Sequence, residues 1–406
     1  MIDGIGTHSM RAESDGEVPT GLDPGFDSSG CERVLRVAIV APPWFHIPPR
    51  GYGGIERVCF DLVEGLVEHG HEVTLVAAGS SAARCRVMQA FPEPLSGLGT
   101  AEGGLQETRY GAHVARIRDE LNVDLVHDHS LVGPLAGIQS PVPTLVTAHG
   151  PPSGIQGDYY RELGLPLVAI SHSQRAMAPR LPWVGTVHNG VDVTEYPFRT
   201  AKENFVLYMS RLTPDKGAHL AIDACLSAGL PLVLAGKCST PHERKYFANS
   251  VAPRLGPHAR WIGEASREQS KRLLSRARCL LVPIQWEEPF GLVVIEALAC
   301  GTPVVGLCHG SLPELVEHGR TGFICRDPSE LPDRIVRAGE IDPRACRQDA
   351  LERFHATKMV YGYESVYRRL LESVTRSNVT SVLGTPAGVV ESDRPQNIEQ
   401  AAYLDD

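Results

Sequence analysis

A rhythm that runs twice along the chain limits its fold more than any other feature: short, uniformly apolar runs separated by longer stretches of helical periodicity. The first series opens with VLRVAIVA (34–41), a glycine-rich turn GYGG (51–54) and then IERVCFDLVEGLVEHG (55–70). In the last of these Val58, Leu62, Leu66 and Val67 share one helical face, and Gly70 is placed to stop the helix. HEVTLVAA (71–78), DLVHDHS (124–130), PTLVTAHG (143–150) and PLVAIS (166–171) continue the series. After a charged, Pro-containing segment YPFRTAKEN (196–204) the rhythm restarts with NFVLYMSR (204–211), PLVLAGK (231–237), HARWIGE (258–264), RCLLVPI (278–284), TPVVGLC (302–308) and TGFIC (321–325). HLAIDACLSA (219–228) and REQSKRLLSRAR (267–278) read as helices between them. Runs that are apolar on both faces predict parallel strands covered by helices on either side. Two such series predict an α/β chain of two Rossmann-like, doubly wound domains, 34–198 and 199–376, facing across a cleft. A last helical stretch, 342–374, is expected to pack over the back and return to the first domain.

Composition agrees and removes several function classes. With 406 residues the chain exceeds what one core serves, and 42% hydrophobic with 21% charged residues is ordinary for a globular protein. No run of about 18 apolar residues is present to span a bilayer. Residues 1–33 are rich in Gly, Ser, Asp and Glu and lack the apolar stretch of a secretion signal. They read as a disordered extension, 377–406 as a disordered tail, and a cytoplasmic location is expected. The ten cysteines form no CxxC pair and sit mostly inside apolar runs, which predicts buried free thiols in a reducing compartment. A net charge of −9 argues against a nucleic-acid partner. Acidic residues outnumber basic ones between Val34 and Phe198, so that half is no dock for anionic lipid.

Chemistry concentrates where apolar runs end. EPFGLVVIEALACGTPVV (288–305) follows the run ending at Ile284 and leads into a helix expected to start near Gly291. Glu288 and Glu296 would stand about 12 Å apart if all between them were helical. The amides of residues 290–292, including Phe290, Gly291 and Leu292, would be unpaired at the helix start and open to a sugar hydroxyl or phosphate. SRLTPDKG (210–217) follows another run, and its Arg211 and Lys216, across a turn favoured by Pro214 and Asp215, suit a diphosphate. In GYGGIER the glycines allow a close approach to a ligand, yet the spacing is GxGG and the next run ends Ala77-Ala78-Gly79-Ser80, so the dinucleotide fingerprint is absent. His127 and His129 fall on one face of a strand end with Asp128 between them; a metal centre would need more ligands than this stretch assembles, and a place in or behind the acceptor cleft fits better.

The 288–305 stretch resembles the E-x7-E signature of retaining glycosyltransferases with the GT-B fold, most closely glycosyltransferase family 4, and the resemblance runs from about Val34 to Leu371. It implies that Glu288 orients the donor sugar, Glu296 holds the ribose hydroxyls, and Arg211 with Lys216 binds the donor diphosphate. Gly53 and Gly54 match the family's paired glycines near the donor, and His149 matches the histidine that contacts the donor hexose. The region of Gly263 would meet the nucleobase, and Asn189 and Asp192 of HNGVD match a turn entering the linker. Implied further are a nucleotide diphosphate sugar as donor, a hydroxyl-bearing acceptor (a small molecule, natural product or glycan), retention of configuration, and no cofactor or metal. AGKCSTPHE (235–243) departs from the glycine-rich turn of many members, which leaves the nucleotide open. A GT-B nucleotide-sugar epimerase or hydrolase, or a non-catalytic nucleotide-sugar binder, would show many of the same features.

Overall fold

The computed structural model describes residues 33–51 and 53–382. Thirteen strands are present in these residues, all parallel to their neighbours, in two sheets. The first contains β1 (Arg36–Val40), β2 (Glu72–Ala78), β3 (Arg86–Phe91), β4 (Leu125–Asp128), β5 (Thr144–Ala148), β6 (Leu167–Ala169) and β7 (Trp183–Thr186), in the order β3-β2-β1-β4-β5-β6-β7. The second contains β8 (Val206–Met209), β9 (Leu232–Ala235), β10 (Ala259–Trp261), β11 (Cys279–Val282), β12 (Val304–Leu307) and β13 (Gly322–Cys325), in the order β10-β9-β8-β11-β12-β13. Both orders reverse once, between β1 and β4 and between β8 and β11. The crevice outside the carboxyl ends at such a reversal is where open α/β sheets bind ligands.

Every apolar run read as a strand is one, trimmed by a residue or more. Two strands escape that reading, β3 and β7, and both are edges. RVMQAF and WVGT are half-exposed, so neither needs a continuous apolar run. Helix α1 (Gly54–Glu68) follows β1 and lays Val58, Leu62, Val63 and Leu66 on the sheet, each fully buried, at about 1.5–3 kcal/mol apiece. Helix α2 (Ala101–Ile117), capped by Thr100, covers the other face with Tyr110 and Val114. The last helical stretch is two helices, Pro343–Arg353 and Ala356–Val382. The second returns to the first sheet: Met359, Val360, Tyr363, Val366 and Tyr367 complete the core around α1. Glu364 there meets the rings of His69 (2.9 Å) and His71 (2.8 Å). Burial alone would raise its pKa, but these two partners prevail and hold it below the usual value.

The chain thus crosses between the sheets twice, and the crossings are tied together. Val191 N donates to Phe354 O (2.9 Å) and Ala356 N to Val191 O (2.9 Å). The Ala356 helix runs on to Val382, past the point where a tail was expected; the expected tails, 1–33 and 377–406, otherwise lie outside the described residues. Among the described residues no helix is long and apolar enough to cross a membrane. Cys59, Cys225, Cys279, Cys300, Cys325 and Cys346 are buried free thiols, while Cys85 and Cys238 are half-buried and Cys308 is exposed.

Candidate active site

At the reversal of the second sheet the two strand-end loops are stapled together. Gln285 N donates to Asp215 O (2.7 Å) and Gln285 Nε2 to Pro214 O (3.0 Å). Gly217, at φ 70°, lets the loops touch, since a Cβ there would lie 2.1 Å from Pro283 O. This contact brings Lys216 against Glu288 in an ion pair, with the ammonium 4.9 Å from the centre of the Trp286 ring. Glu288 is fixed from behind. Its carbonyl accepts from Ser311 N (3.0 Å), and Gly310, at φ 55°, leaves room that a Cβ would fill at 2.3 Å from the Glu288 backbone. Arg211 stands exposed on the same wall.

The helix that follows spans Leu292–Ala299, with Gly291 at its N-cap. Residues 288–291 are loop, so Glu288 precedes the helix that carries Glu296 and the spacing of a continuous helix between them does not apply. Val294 N is the first amide to bond back, to Gly291 O (2.9 Å), which leaves the amides of the first turn as donors beside Lys216 and Glu288. Glu296 lies one turn in, and its Oε1 accepts from Tyr196 Oη (2.9 Å). Phe290 turns inward, its ring 5.8 Å from that of His188. Leu292 joins both cores and meets the glycine turn, where a Cβ on Gly54 would lie 3.0 Å from its Cδ1.

A charge network that the sequence does not reveal lies beside Glu296. Arg57, in the first turn of α1, pairs with Asp61 (2.7 Å) and with Glu195 in the crossing segment (3.1 Å). Glu195 also meets Arg267 (2.5 Å) and Lys271 (3.2 Å) of the helix Arg267–Arg276. Burial would raise the Glu195 pKa, but these cations outweigh it and hold it at about 2. No sequence pattern announces this network, because its members lie far apart along the chain and meet only across the cleft.

The first sheet supplies a different wall. His129 and His149, beyond β4 and β5, share a hydrogen bond (Nδ1 to Nε2, 2.9 Å), and His127 behind them bonds Tyr367 and Thr147, both at 2.7 Å. Burial keeps all three neutral, with His149 lowered to about 3. Both nitrogens of His127 carry hydrogen bonds to protein hydroxyls, and His129 spends its Nδ1 on His149. Burial pushes Asp128 up to about 7 against the pull of Ser130, whose amide (2.8 Å) and hydroxyl (2.7 Å) both donate to it. Glu56 lies near Gly53, at the third position of α1, and burial pushes it up to about 7.

These walls enclose one cavity of about 700 Å³. Gly53, Gly54, His149, Arg211, Lys216, Glu288, Phe290, Gly291, Leu292 and Glu296 all line it. Gly263 does not: at φ 79° its carbonyl accepts from Gly236 N (2.8 Å), and its neighbour Glu264 reaches the cavity instead. Asn189 and Asp192 lie in the crossing segment, where Asp192 caps a short turn by accepting from Thr194 N (2.9 Å). Trp44 and Glu107, which no motif singles out, line the first wall. A different group of possible metal ligands, His172, His188 and Glu314, has atoms within 4.8 Å of one another; Glu314 there already accepts from His172 N (2.8 Å), Ser173 N and His188 Nε2 (3.1 Å).

Two doubly wound parallel sheets sharing one cleft, with cations and a helix N-terminus on one wall, define a glycosyltransferase of the GT-B fold. The model described as Glycosyltransferase Family 4 matches residues 52–195, and that described as Glycosyl transferases group 1 matches residues 194–342. The chain belongs to glycosyltransferase family 4. It is 32% identical over 184 residues to a glycogen synthase of Mycobacterium tuberculosis, a match covering 42% of this chain and 43% of that enzyme, so it spans less than half of that relative. It is 26% identical over 304 residues to a phosphatidyl-myo-inositol mannosyltransferase of Propionibacterium freudenreichii, covering 67% of this chain and 76% of that one. The crystal structure of AviGT4, a glycosyltransferase involved in avilamycin A biosynthesis, superposes with a TM-score of 0.66 at 28% identity, covering 83% of this chain and 98% of that one.

Proposed function

We propose that this protein is a retaining, metal-independent hexosyltransferase that moves a sugar from a nucleotide diphosphate sugar to an acceptor hydroxyl. Residues 34–198 form the acceptor side and 199–376 the donor side, and the buried free thiols suit the cytoplasm. The observation that carries this reading is the Lys216–Glu288 pair at the reversal of the second sheet, flanked by Arg211 and the open amides before Val294. Negative charge grows on the departing diphosphate, and Arg211, Lys216 and those amides meet it with preorganised positive ends. Glu288 gives up part of its hold on Lys216 to orient the donor sugar, while Glu296, with Tyr196, holds the ribose. His149, neutral and fixed by His129, offers a hydrogen bond to the sugar rather than a charge. Gly53 and Gly54 bring the start of α1 against Leu292 and close the donor from above.

The test is calorimetry with UDP, GDP and ADP, followed by turnover of the matching sugar donors with and without EDTA. Binding of one nucleotide and EDTA-resistant consumption of its donor is the expected result. Failure of all three to bind sinks the donor assignment, and donor interconversion without acceptor would favour an epimerase.

A further inference from the structure

A second cluster of side chains suited to a ligand lies outside the cavity, where the two halves of the chain meet. His172 follows β6 and opens the short helix His172–Met177, and His188 follows β7. Glu314, from the second half, stands in the short helix Leu312–Leu315 that follows β12. One ligand atom from each of the three lies within 4.8 Å of the other two. None of the three lines the cavity, although Ser311, Leu312 and Leu315 beside Glu314 do. The cluster is a separate feature, built from both halves.

The carboxylate is oriented by the fold itself. Its Oε2 accepts from His172 N (2.8 Å) and from His188 Nε2 (3.1 Å), and its Oε1 accepts from Ser173 N. Hydrogen bonds of this kind are what fix metal ligands in place and tune them. Burial would raise the pKa of Glu314, but His188 and the two amides outweigh it and hold the group below the usual carboxylate range. A carboxylate offers about four acceptor positions, so the two amides leave room for a cation on the side that faces His188. Ligand atoms about 2.0–2.2 Å from a tetrahedral zinc stand roughly 3.3–3.5 Å apart. His188 Nε2 and Glu314 Oε2, at 3.1 Å, are already close to that spacing. The ring of His172, 5.8 Å from that of His188 and at 80° to it, is exposed and free to turn inward, with a fourth position left to water. Two imidazoles, one carboxylate and an open position suit zinc-type ions, whereas Mg²⁺ and Ca²⁺ take oxygen ligands.

We propose that His172, His188 and Glu314 form a site for a zinc-type divalent ion that bridges the two halves of the chain. Two ligands come from loops at the carboxyl ends of β6 and β7 and one from the segment after β12, so a bound ion ties the two sheets together beside the cleft. Binding replaces the N–H that His188 offers to Glu314: the proton moves to Nδ1 of the same ring or, from an imidazolium, to solvent. The ion takes no part in sugar transfer, since its ligands lie outside the cavity. The site goes beyond the donor chemistry proposed above and stands without it.

The chain has 16 histidines, so the test has to single out these residues. Calorimetry of the full, untagged chain with Zn²⁺ is expected to show a single tight equivalent, and Mg²⁺ at the same concentration to show none. His172→Ala, at an exposed side chain, should weaken that equivalent by at least about tenfold, and Glu314→Gln by more. His242→Ala, at another exposed histidine, should leave it unchanged. Melting curves without metal would show which variants are folded; should Glu314→Gln fail there, His172→Ala alone decides. Hydrogen exchange gives a second readout that needs no activity: Zn²⁺ should slow exchange in residues 172–177 and 312–316 together, and should not do so in His172→Ala. Zinc binding that His172→Ala leaves at wild-type strength overturns the proposal, as does equal binding of Mg²⁺ or the lack of any tight equivalent. Protection confined to 172–188 would put the ion in the first half alone and overturn the bridge.

Discussion

The two walls of the cleft are built from the same strand–turn–helix unit and do opposite electrostatic work. On the second wall the loop after β8 brings a lysine to the loop after β11, and a short helix opens its free amides beside them. On the first, the loops after β4 and β5 bring together two neutral histidines, and the helix after β1 begins with Glu56 close to its own N-cap. The carboxylate of Glu56 occupies the end of α1 that would otherwise attract an anion. One fold unit is therefore an anion site or a neutral site according to which side chains stand at the strand ends. On the proposed reading the diphosphate would lie against the second wall, where Lys216 and the open amides before Val294 face the cavity.

Lys216→Ala should break this contrast most severely. Removing the cation that meets the leaving group is expected to lower kcat by about 10²–10³, the range for loss of one preorganised stabilising group. Glu288→Gln should also depress kcat, and more than it weakens donor binding, because its partner is the reacting sugar. Stopped-flow or steady-state kinetics beside nucleotide calorimetry would separate the two effects. Wild-type rates in both variants would remove the second wall from the chemistry.

Glu296→Gln is expected to act on binding instead, weakening the nucleotide by up to about 3 kcal/mol, since a charge-assisted bond to a part that does not react is lost. An unchanged dissociation constant would mean that Glu296 serves only Tyr196.

The first wall should reveal its neutrality in the pH dependence of stability. The pKa of His149 is about 3 in the folded protein and about 6.5 unfolded, so between these values the unfolded chain binds more protons. Stability is then lost as pH falls below about 6.5, by about 2 kcal/mol at pH 5 from this residue. Glu56 and Asp128, raised to about 7, act in the opposite sense over the same range, so the comparison must be with a variant. Denaturant melts of His149→Asn should show a shallower loss between pH 6.5 and 5 than the wild type. An identical slope would mean that His149 is not buried as a neutral ring. The smallest expected effect is that of EDTA on turnover, which should be nil; a loss restored by Zn²⁺ would direct attention to His172, His188 and Glu314.

Much of the second wall is legible in the sequence, for a local reason. Arg211 and Lys216 lie within one turn, and Glu288 to Glu296 within one loop and helix start, so a short stretch of chain carries both the residues and the geometry that presents them. The first wall is legible only in part. His149 stands out at a strand end, but Trp44 and Glu107 come from a loop and a helix far apart in sequence and carry no pattern of their own. The same distinction explains β3 and β7, half-exposed edges that no periodicity marks, and the Arg57–Glu195–Arg267 network.

By itself the sequence determined the two parallel sheets, because strands buried on both faces must be apolar throughout and the helices between them must be apolar on one face. It determined equally that the candidate residues would line the cavity, because strand ends are where such sheets leave backbone and side chains unpacked. Only the tertiary structure decided which charges are spent and which remain free. Arg57 is a cation in the sequence but a neutralised one in the fold, whereas Glu107 is in no ion pair among the described residues and burial raises its pKa. Pairing across the cleft depends on distances of a few ångströms between segments well separated along the chain, and Coulomb energies in a partly buried cleft change with those distances too steeply for sequence separation to foretell them.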